Sequence, residues 1–555
     1  MSYRTASWQD LWEGTGTGVF SQGYVDNTPN LYIPQWASPY LRNARLDGNT
    51  IEIRKGHTLF KDIESLEAWW AVASKGIWSY LRPNDLSSRL IVRENYDADK
   101  KIVLYDEDGT ATPVTTWANI TSDNRMCFIN IADTVYCMNG SDKLGKLTGS
   151  TYTVDTSKIP TNFAPAFWVV FNGCQRLSWW STNPNVVYKS LGWIYDNTGQ
   201  FQVPAYYNFT DTGSDQFTFE ENVTGLCANA QALFYFTKNT ISVTGSNDYE
   251  TVQIGSSGWS RIAYRTAVLT AKEWAVNHYW IVWVWNDVYY ITPSNKICKI
   301  VRGNNIYGYE VQDLSGRKYA GCEGLMRTLA KDQSQCFGYY VPKEDIIKWF
   351  FKTEGSDIHD ICVVYDIEKD KFLVDTGKPF SWGVAFKGKV YTISEVEPKI
   401  FIDENGSEDE DAPIPFEYWT KEFYVSDPSF KKIFWETRTT IDINLNTELI
   451  QEIWVDGRKV DSVVINKSWL KDNAVWWIAT FATGTSMVWV DIEADTYTEE
   501  LDTNELYILR TKWNLNVRGH KIQFRFSNTT EWAKLRLKYL SLRSEVLPEL
   551  TNGLR

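Results

Sequence analysis

The run NRMCFINIADTVYCMNG (Asn124–Gly140) decides how the rest of the chain reads. Met126, Phe128 and Ile129, then Val135, Tyr136, Cys137 and Met138, flank a short turn at Ala132 and Asp133, and the run closes on the turn pair Asn139–Gly140. Two apolar runs so joined predict an antiparallel hairpin. The same logic returns in FWVVFNGCQRLSWW (Phe167–Trp180), ALFYFTKNTISVTG (Ala232–Gly245), YWIVWVWNDVYYIT (Tyr279–Thr292) and FSWGVAFKGKVYTI (Phe380–Ile393). The spacing of these pieces approaches the length of a four-stranded blade, and propellers repeat such sheets about an axis. The middle of the chain is therefore expected to be a β-propeller of five to seven blades, with six taken as the count.

Composition agrees with an all-β protein. At 555 residues the chain exceeds the size at which one core stops growing, so more than one domain is expected. Its 27 Trp, 31 Tyr and 26 Phe favour pleated, half-buried surfaces over helices. The formal net charge of -13 argues against a polyanion-binding chain, while leaving room for a local basic patch. The eight cysteines (127, 137, 174, 227, 298, 322, 336 and 362) include no C-x-x-C pair and read as buried free thiols. No secretion signal opens the sequence, and the longest apolar run, Tyr279–Trp285, is too short for a membrane helix; folding in a reducing cytosol is the simplest expectation.

In chain order, residues 1–60 read as an extended arm with a first hairpin. The glycines of Gly14–Gly18 lack the strand and the G-K-[ST] that a phosphate loop requires. Pro29, Pro34 and Pro39 keep the backbone extended, and Asp47–Gly48 marks a tight turn. Residues 61–412 hold the hairpin series. One charge run stands out, Ile402–Pro415, with Asp403, Glu404, Glu408, Asp409, Glu410 and Asp411 close together. It lacks the ligand spacing of a calcium loop and reads as a solvated, exposed linker at a domain boundary. Residues 413–555 change to longer strands of one-sided alternation, such as Ile522, Phe524 and Phe526, and then Leu535, Leu537 and Tyr539, which predicts a β-sandwich.

The segment S-P-Y-L-R-N-A-R (Ser38–Arg45), the turn Asp47–Gly48 and I-R-K-G-H (Ile53–His57) resemble the opening of tail hub and nozzle proteins of short-tailed phages, also called tail tubular protein B or packaged-DNA stabilisation proteins. The proline usual after arginine-lysine is absent, and Gly56 follows Lys55 directly. Ala164–Ser190, Asn222–Gly245, Val311–Ser315, Val363–Phe380, Lys399–Asp403 and G-x-x-I-Q-F-R-x-S at Gly519–Ser527 extend the resemblance over most of the chain. It implies a structural virion protein and not an enzyme. The implied assembly is a homohexameric ring below the portal and adaptor, touching tail fibre or other tail proteins and passing double-stranded DNA without reading its sequence. It implies no cofactor, and a virion location after assembly in the bacterial cytoplasm. The acidic residues 403, 404 and 408–411 are the candidate gate or interface loop on account of their charge and expected exposure.

Catalytic signatures are sparse. The four histidines, His57, His278, His359 and His520, show no metal-ligand spacing and no local triad signature, and no metal or catalytic residue is assigned. A glycan-binding or glycoside-hydrolysing propeller is the alternative, with Asp106, Asp287 and Asp366 as carboxylates at strand ends, although aspartate is also the common turn residue there. The doublets Trp69–Trp70, Trp179–Trp180 and Trp476–Trp477 would put one ring in the core and its neighbour on the outside.

Overall fold

A computed structural model describes the chain apart from residues 1–6, 10–22, 27–31, 34–36, 64–74, 115–119, 155–163, 180–183, 191–208, 210–214, 466–477, 481–486, 493–506, 548–555 and pieces of one to four residues elsewhere. Gly14–Gly18, Trp69, Trp70, Trp180, Trp476 and Trp477 lie outside the described residues.

Asn124–Gly140 folds as the sequence indicates: Cys127–Ile131 pairs antiparallel with Thr134–Met138, Ile131 opposite Thr134, so that two residues make the turn. It forms the inner half of a four-stranded sheet, and seven such sheets succeed one another. Their first strands are Ile77–Leu81, Cys127–Ile131, Pro165–Phe171, Val223–Ala228, Val282–Val284, Phe337–Val341 and Phe380–Phe386. These strands stand side by side around an axis, and Phe380–Phe386 returns to Ile77–Leu81 to close the circle. Among the described residues the molecule contains a β-propeller of seven blades, against the six taken as the count from the sequence. The extra blade is the sheet Phe337–Thr376: a four-residue turn, 342–345, separates its first two strands, so the hairpin lacks the two-to-three-residue turn of the hairpins quoted from the sequence. Crowding at the axis limits side-chain size. A Cβ on Gly383 of blade 7 would lie 2.5 Å from the Tyr339 ring of blade 6.

Blade 7 has only three strands from its own region. Its fourth is His57–Asp62, paired with Lys399–Asp403. The sequence boundary at residue 60 therefore falls inside the strand that completes the propeller. The rest of the expected arm is also built in. Tyr40–Arg42 joins a five-stranded sheet with Phe416–Trp419, Ile522–Asn528, Leu449–Val455 and Arg458–Ile465. Ala44–Asp47 and Thr50–Ile53 join an eight-stranded sheet with Leu535–Val546, Lys432–Ile443 and Tyr507–Gly519.

These two sheets face each other as a sandwich. Leu449, Gln451, Ile453 and Val455 point inward and Ile450, Glu452 and Trp454 outward, the alternation a one-sided sheet requires. Leu535 and Leu537 are buried as expected, but Tyr539 is only half-buried. A β-bulge opposite Thr440 and Ile441 shifts the pairing, and Leu540 and Leu542 take up the core positions. One apolar cluster runs from Phe434, Ile453 and Phe524 of the sandwich to Phe350 and Val363 of blade 6, so propeller and sandwich share a core. Among the described residues the helical content is one short α-helix, Glu323–Arg327, and one 3₁₀ turn, and no helix is long and apolar enough to cross a membrane. Seven cysteines are described, all free thiols, and six are buried.

Candidate functional site

The acidic run is not an exposed linker. Asp403 ends the third strand of blade 7 and, with Glu404 and Asp409, turns inward onto cations. Lys348 Nζ lies 2.5 Å from both Asp403 Oδ2 and Glu404 Oε1, and Lys378 Nζ lies 2.6 Å from Asp403 Oδ1. Arg45 grips both oxygens of Asp375 at 2.7 Å and reaches Glu404 at 2.6 Å. Arg54 holds Asp409 through two bonds, at 2.7 and 2.5 Å, and Tyr339 donates its hydroxyl to Asp403 at 2.8 Å. Four cations thus meet four carboxylates, and the formal charge cancels inside the protein. Of the remaining candidates, Glu408 is buried and accepts the Trp532 N–H at 2.8 Å, Glu410 is half-buried on Lys399 at 2.8 Å, and Asp411 is exposed.

Burial alone would discharge these groups, since an isolated ion inside a protein is costly. Here the partners outweigh it. Burial works against the Asp403 carboxylate, yet Lys348 and Lys378 hold it well below the usual carboxylate range, and Arg45 and Lys348 do the same for Glu404. Burial likewise opposes the charge on Lys348, but Asp403, Glu404 and Asp375 raise its affinity for the proton. Lys378 goes the other way, lowered by burial and by the nearby Arg54. The cluster is a joint: Arg45 and Arg54 come from the N-terminal segment, Lys348 and Asp375 from blade 6, Lys378 from the link between blades 6 and 7, Asp403 from blade 7, and Asp409 from the passage into the sandwich.

The backbone closes around the same place. Gly56 and His57 donate their N–H groups to Gly406 and Glu408, and Asn405 and Glu410 donate back to Gly56 and His57. A Cβ on Gly56 would fall 1.7 Å from the Glu408 carbonyl oxygen, so no other residue fits.

The propeller axis holds a cavity of about 380 Å³, walled by Trp78, Phe128, Trp168, Tyr339 and Trp382 among others. Arg125 packs against two of the wall's rings, Tyr279 and Trp382. It donates to the carbonyls of Gln335 and Ser381 at 2.9 and 3.0 Å, lies over the rings of Tyr279, Phe337 and Trp382, and so ties blade 2 to blades 5, 6 and 7. Burial holds the wall's His278 neutral, its pKa lowered to about 4, and pushes the Cys127 thiol up to about 12. Asp106, Asp287 and Asp366 are not among the wall residues; they pair with Arg89, Lys299 and Lys369 on the blades. His57, His359 and His520 pair with Asp409, Glu395 and Asp456.

No family model matches the chain, and no curated protein does. Solved structures similar to it include YCF48 bound to a D1 peptide, at 9% identity over 63% of this chain and 97% of that one, TM-score 0.35. A computationally designed protein, Ika8, aligns at 10% identity over 62% and 99%, TM-score 0.35. YCF48 from Cyanidioschyzon merolae aligns at 9% identity over 61% and 98%, TM-score 0.34. At such similarity the architecture rests on the sheets themselves.

The sequence reading picked three acids of the joint, Asp403, Glu404 and Asp409, and missed Asp375 and the bases. Two signals were available: Lys348 interrupts the wholly apolar strand IIKWFF, and Lys378 follows Asp375 in FLVDTGK. A charge in the middle of a buried strand needs an opposite charge beside it.

Proposed function

We propose that this chain is a structural virion protein, a hub or nozzle subunit whose copies form a ring that extends a phage portal-adaptor channel, retains the packaged DNA and conducts it at ejection. One observation carries the reading. The residues that bear the resemblance to that family, Ser38–Arg45 and Ile53–His57, are the residues that join propeller to sandwich, through Arg45, Arg54 and the Asn43 N–H on the Val374 carbonyl at 2.8 Å. A wall under internal pressure needs two domains that cannot slide, and a buried, charge-neutral cluster from five parts of the chain supplies that.

The DNA path in this reading lies between copies. A sphere of 380 Å³ is only about 9 Å across, narrower than the ~12 Å major groove of a duplex. Six copies would carry 6 × (-13), a formal -78, and an acidic lumen lets phosphates slide where a basic one would hold them. The test is to co-purify the chain with the portal and adaptor proteins of the same genome and to image the product. A ring of about six 64.1 kDa subunits seated on the adaptor is expected. A chain that stays out of the assembly overturns the proposal. The aromatic wall of the axial cavity favours, as a second reading, a glycan-binding or glycan-cleaving propeller, which a glycan array with the purified monomer would reveal.

A further inference from the structure

The outer face of the five-stranded sandwich sheet carries a ladder that the joint does not use. Arg42 lies over the Tyr40 ring, Tyr40 stacks on Trp419 with 4.4 Å between ring centres, and Arg525 sits between Trp419 and Trp454, 3.6 Å from each centre. Strand register makes it: Tyr40 is opposite Trp419, and Trp419 is opposite Arg525. Arg525 Nε donates to Gln523 Oε1 at 3.1 Å, which fixes the guanidinium plane and leaves its terminal nitrogens free of any hydrogen bond among the described residues. Arg42 has no ion pair among them, and Lys421, two residues beyond Trp419, reaches only the Ile33 carbonyl, at 3.3 Å.

The nearby carboxylates are spent. Glu452 binds Lys459 and Trp454, Glu422 binds Lys521, and Glu417 takes the Tyr40 hydroxyl. Burial lowers the proton affinity of both Lys421 and Arg525, for Arg525 against the pull of Glu452 and Glu422. In an acidic chain, three cations are thus left over on one aromatic face, the Trp, Tyr and Arg composition of interface centres.

Charge decides the occupant. Glu417, Glu422 and Glu452 stand among these cations and would repel a run of phosphates, whereas one acidic protein loop can meet the cations and avoid the carboxylates. The chain carries such a loop. Glu354 and Asp357 are exposed on the blade 6 turn between Ile346–Phe351 and Ile361–Asp366, and the described residues offer their side chains no ion pair. Exposed Ile358 and Val396 lie beside them, and the His359–Glu395 pair, 2.7 Å apart, pins the two turns together.

We propose that the Arg42–Trp419–Arg525 face of one copy receives the Glu354–Ile358 turn of the next. Such a contact joins unlike surfaces, so it repeats from copy to copy, and it makes a ring when the rotation between copies closes and a filament when it does not. It rests on the ring reading above.

Association of the purified chain is measured by sedimentation for wild type, for Arg42→Glu/Lys421→Glu and for Glu354→Lys/Asp357→Lys, with melting temperature as the check on folding. Each variant is expected to associate at least tenfold more weakly while melting as wild type does, and an equimolar mixture of the two should recover association, because reversed face then meets reversed turn. Normal assembly by either variant, or no recovery in the mixture, overturns this contact and leaves the ring reading standing. A wild type that stays monomeric with and without portal and adaptor overturns both. Binding of a labelled duplex that is lost in Arg42→Glu/Lys421→Glu would assign the face to nucleic acid and overturn the protein contact.

Discussion

Lys348 stands in a strand whose other residues are all apolar, and its ammonium is shared by Asp403 and Glu404. Removing one member of a buried pair strands the other, at a cost of about 3–5 kcal/mol. Lys348→Met should lower unfolding free energy by that amount in denaturant titrations, and adding Asp403→Asn should cost less than a second full loss. Gly56→Ala should be at least as harmful, since its methyl would overlap a carbonyl oxygen that cannot move without parting the joint. The cluster also sets the response to acid. Asp403, Glu404 and Asp409 are held below the ordinary carboxylate range, so their stabilisation is complete above the unfolded pKa of about 4 and is lost as pH falls toward the folded values. His278, lowered from 6.5 to about 4, adds an earlier loss, because between those values the unfolded chain takes a proton that the folded chain refuses. Melting temperature should therefore be flat between about pH 7 and 8, sag gently toward pH 5 and fall steeply below pH 4, the steep part shrinking in Asp403→Asn. Asp403, Glu404 and Asp409 could be read because they sit together in sequence. Their arginine partners could not, because Arg45 and Arg54 lie some 350 residues away and only folding reveals the pairing.

Paired strands were legible wherever a two- or three-residue turn separated two apolar runs, as at Ala132–Asp133 and Lys387–Gly388. The count of blades was not, because the turn 342–345 is longer and because Ala232–Gly245 is the second hairpin of its blade while most of the others quoted are the first. An exchange of strands between distant segments leaves no local trace either, which is why His57–Asp62 read as part of an arm. A chain beginning at Ile63 would leave Lys399–Asp403 with an open edge and four carboxylates without Arg45 and Arg54. It is expected to aggregate or to melt without cooperativity, as size-exclusion and calorimetric traces would show. Arg125→Leu tests the tie between blade 2 and blades 6 and 7. It removes the hydrogen bonds to blades 6 and 7 but keeps apolar contact, and should speed amide exchange in the first strands of blades 2, 6 and 7 more than in the sandwich.

Taken whole, the molecule is two β-modules that share one apolar core and one charge-neutral joint, with a cationic aromatic face on the sandwich and an acidic turn on blade 6. If copies meet as proposed, the assembled ring should loosen as salt rises, because the contact between them is partly ionic, while the joint inside each copy, shielded from solvent, should not. Sedimentation and melting curves recorded from 0.05 to 1 M salt would separate the two, with roughly four- to fivefold shortening of the screening length over that range. The interleaving of the two ends has a consequence for biosynthesis. Ile51 pairs with Leu537, and His57–Asp62 waits for Lys399–Asp403, so a nascent chain on the ribosome cannot place its first sixty residues until nearly all the others have emerged. The segment made first is the last to settle, and until it does the half-made protein exposes an unpaired blade edge to every sibling in the cell.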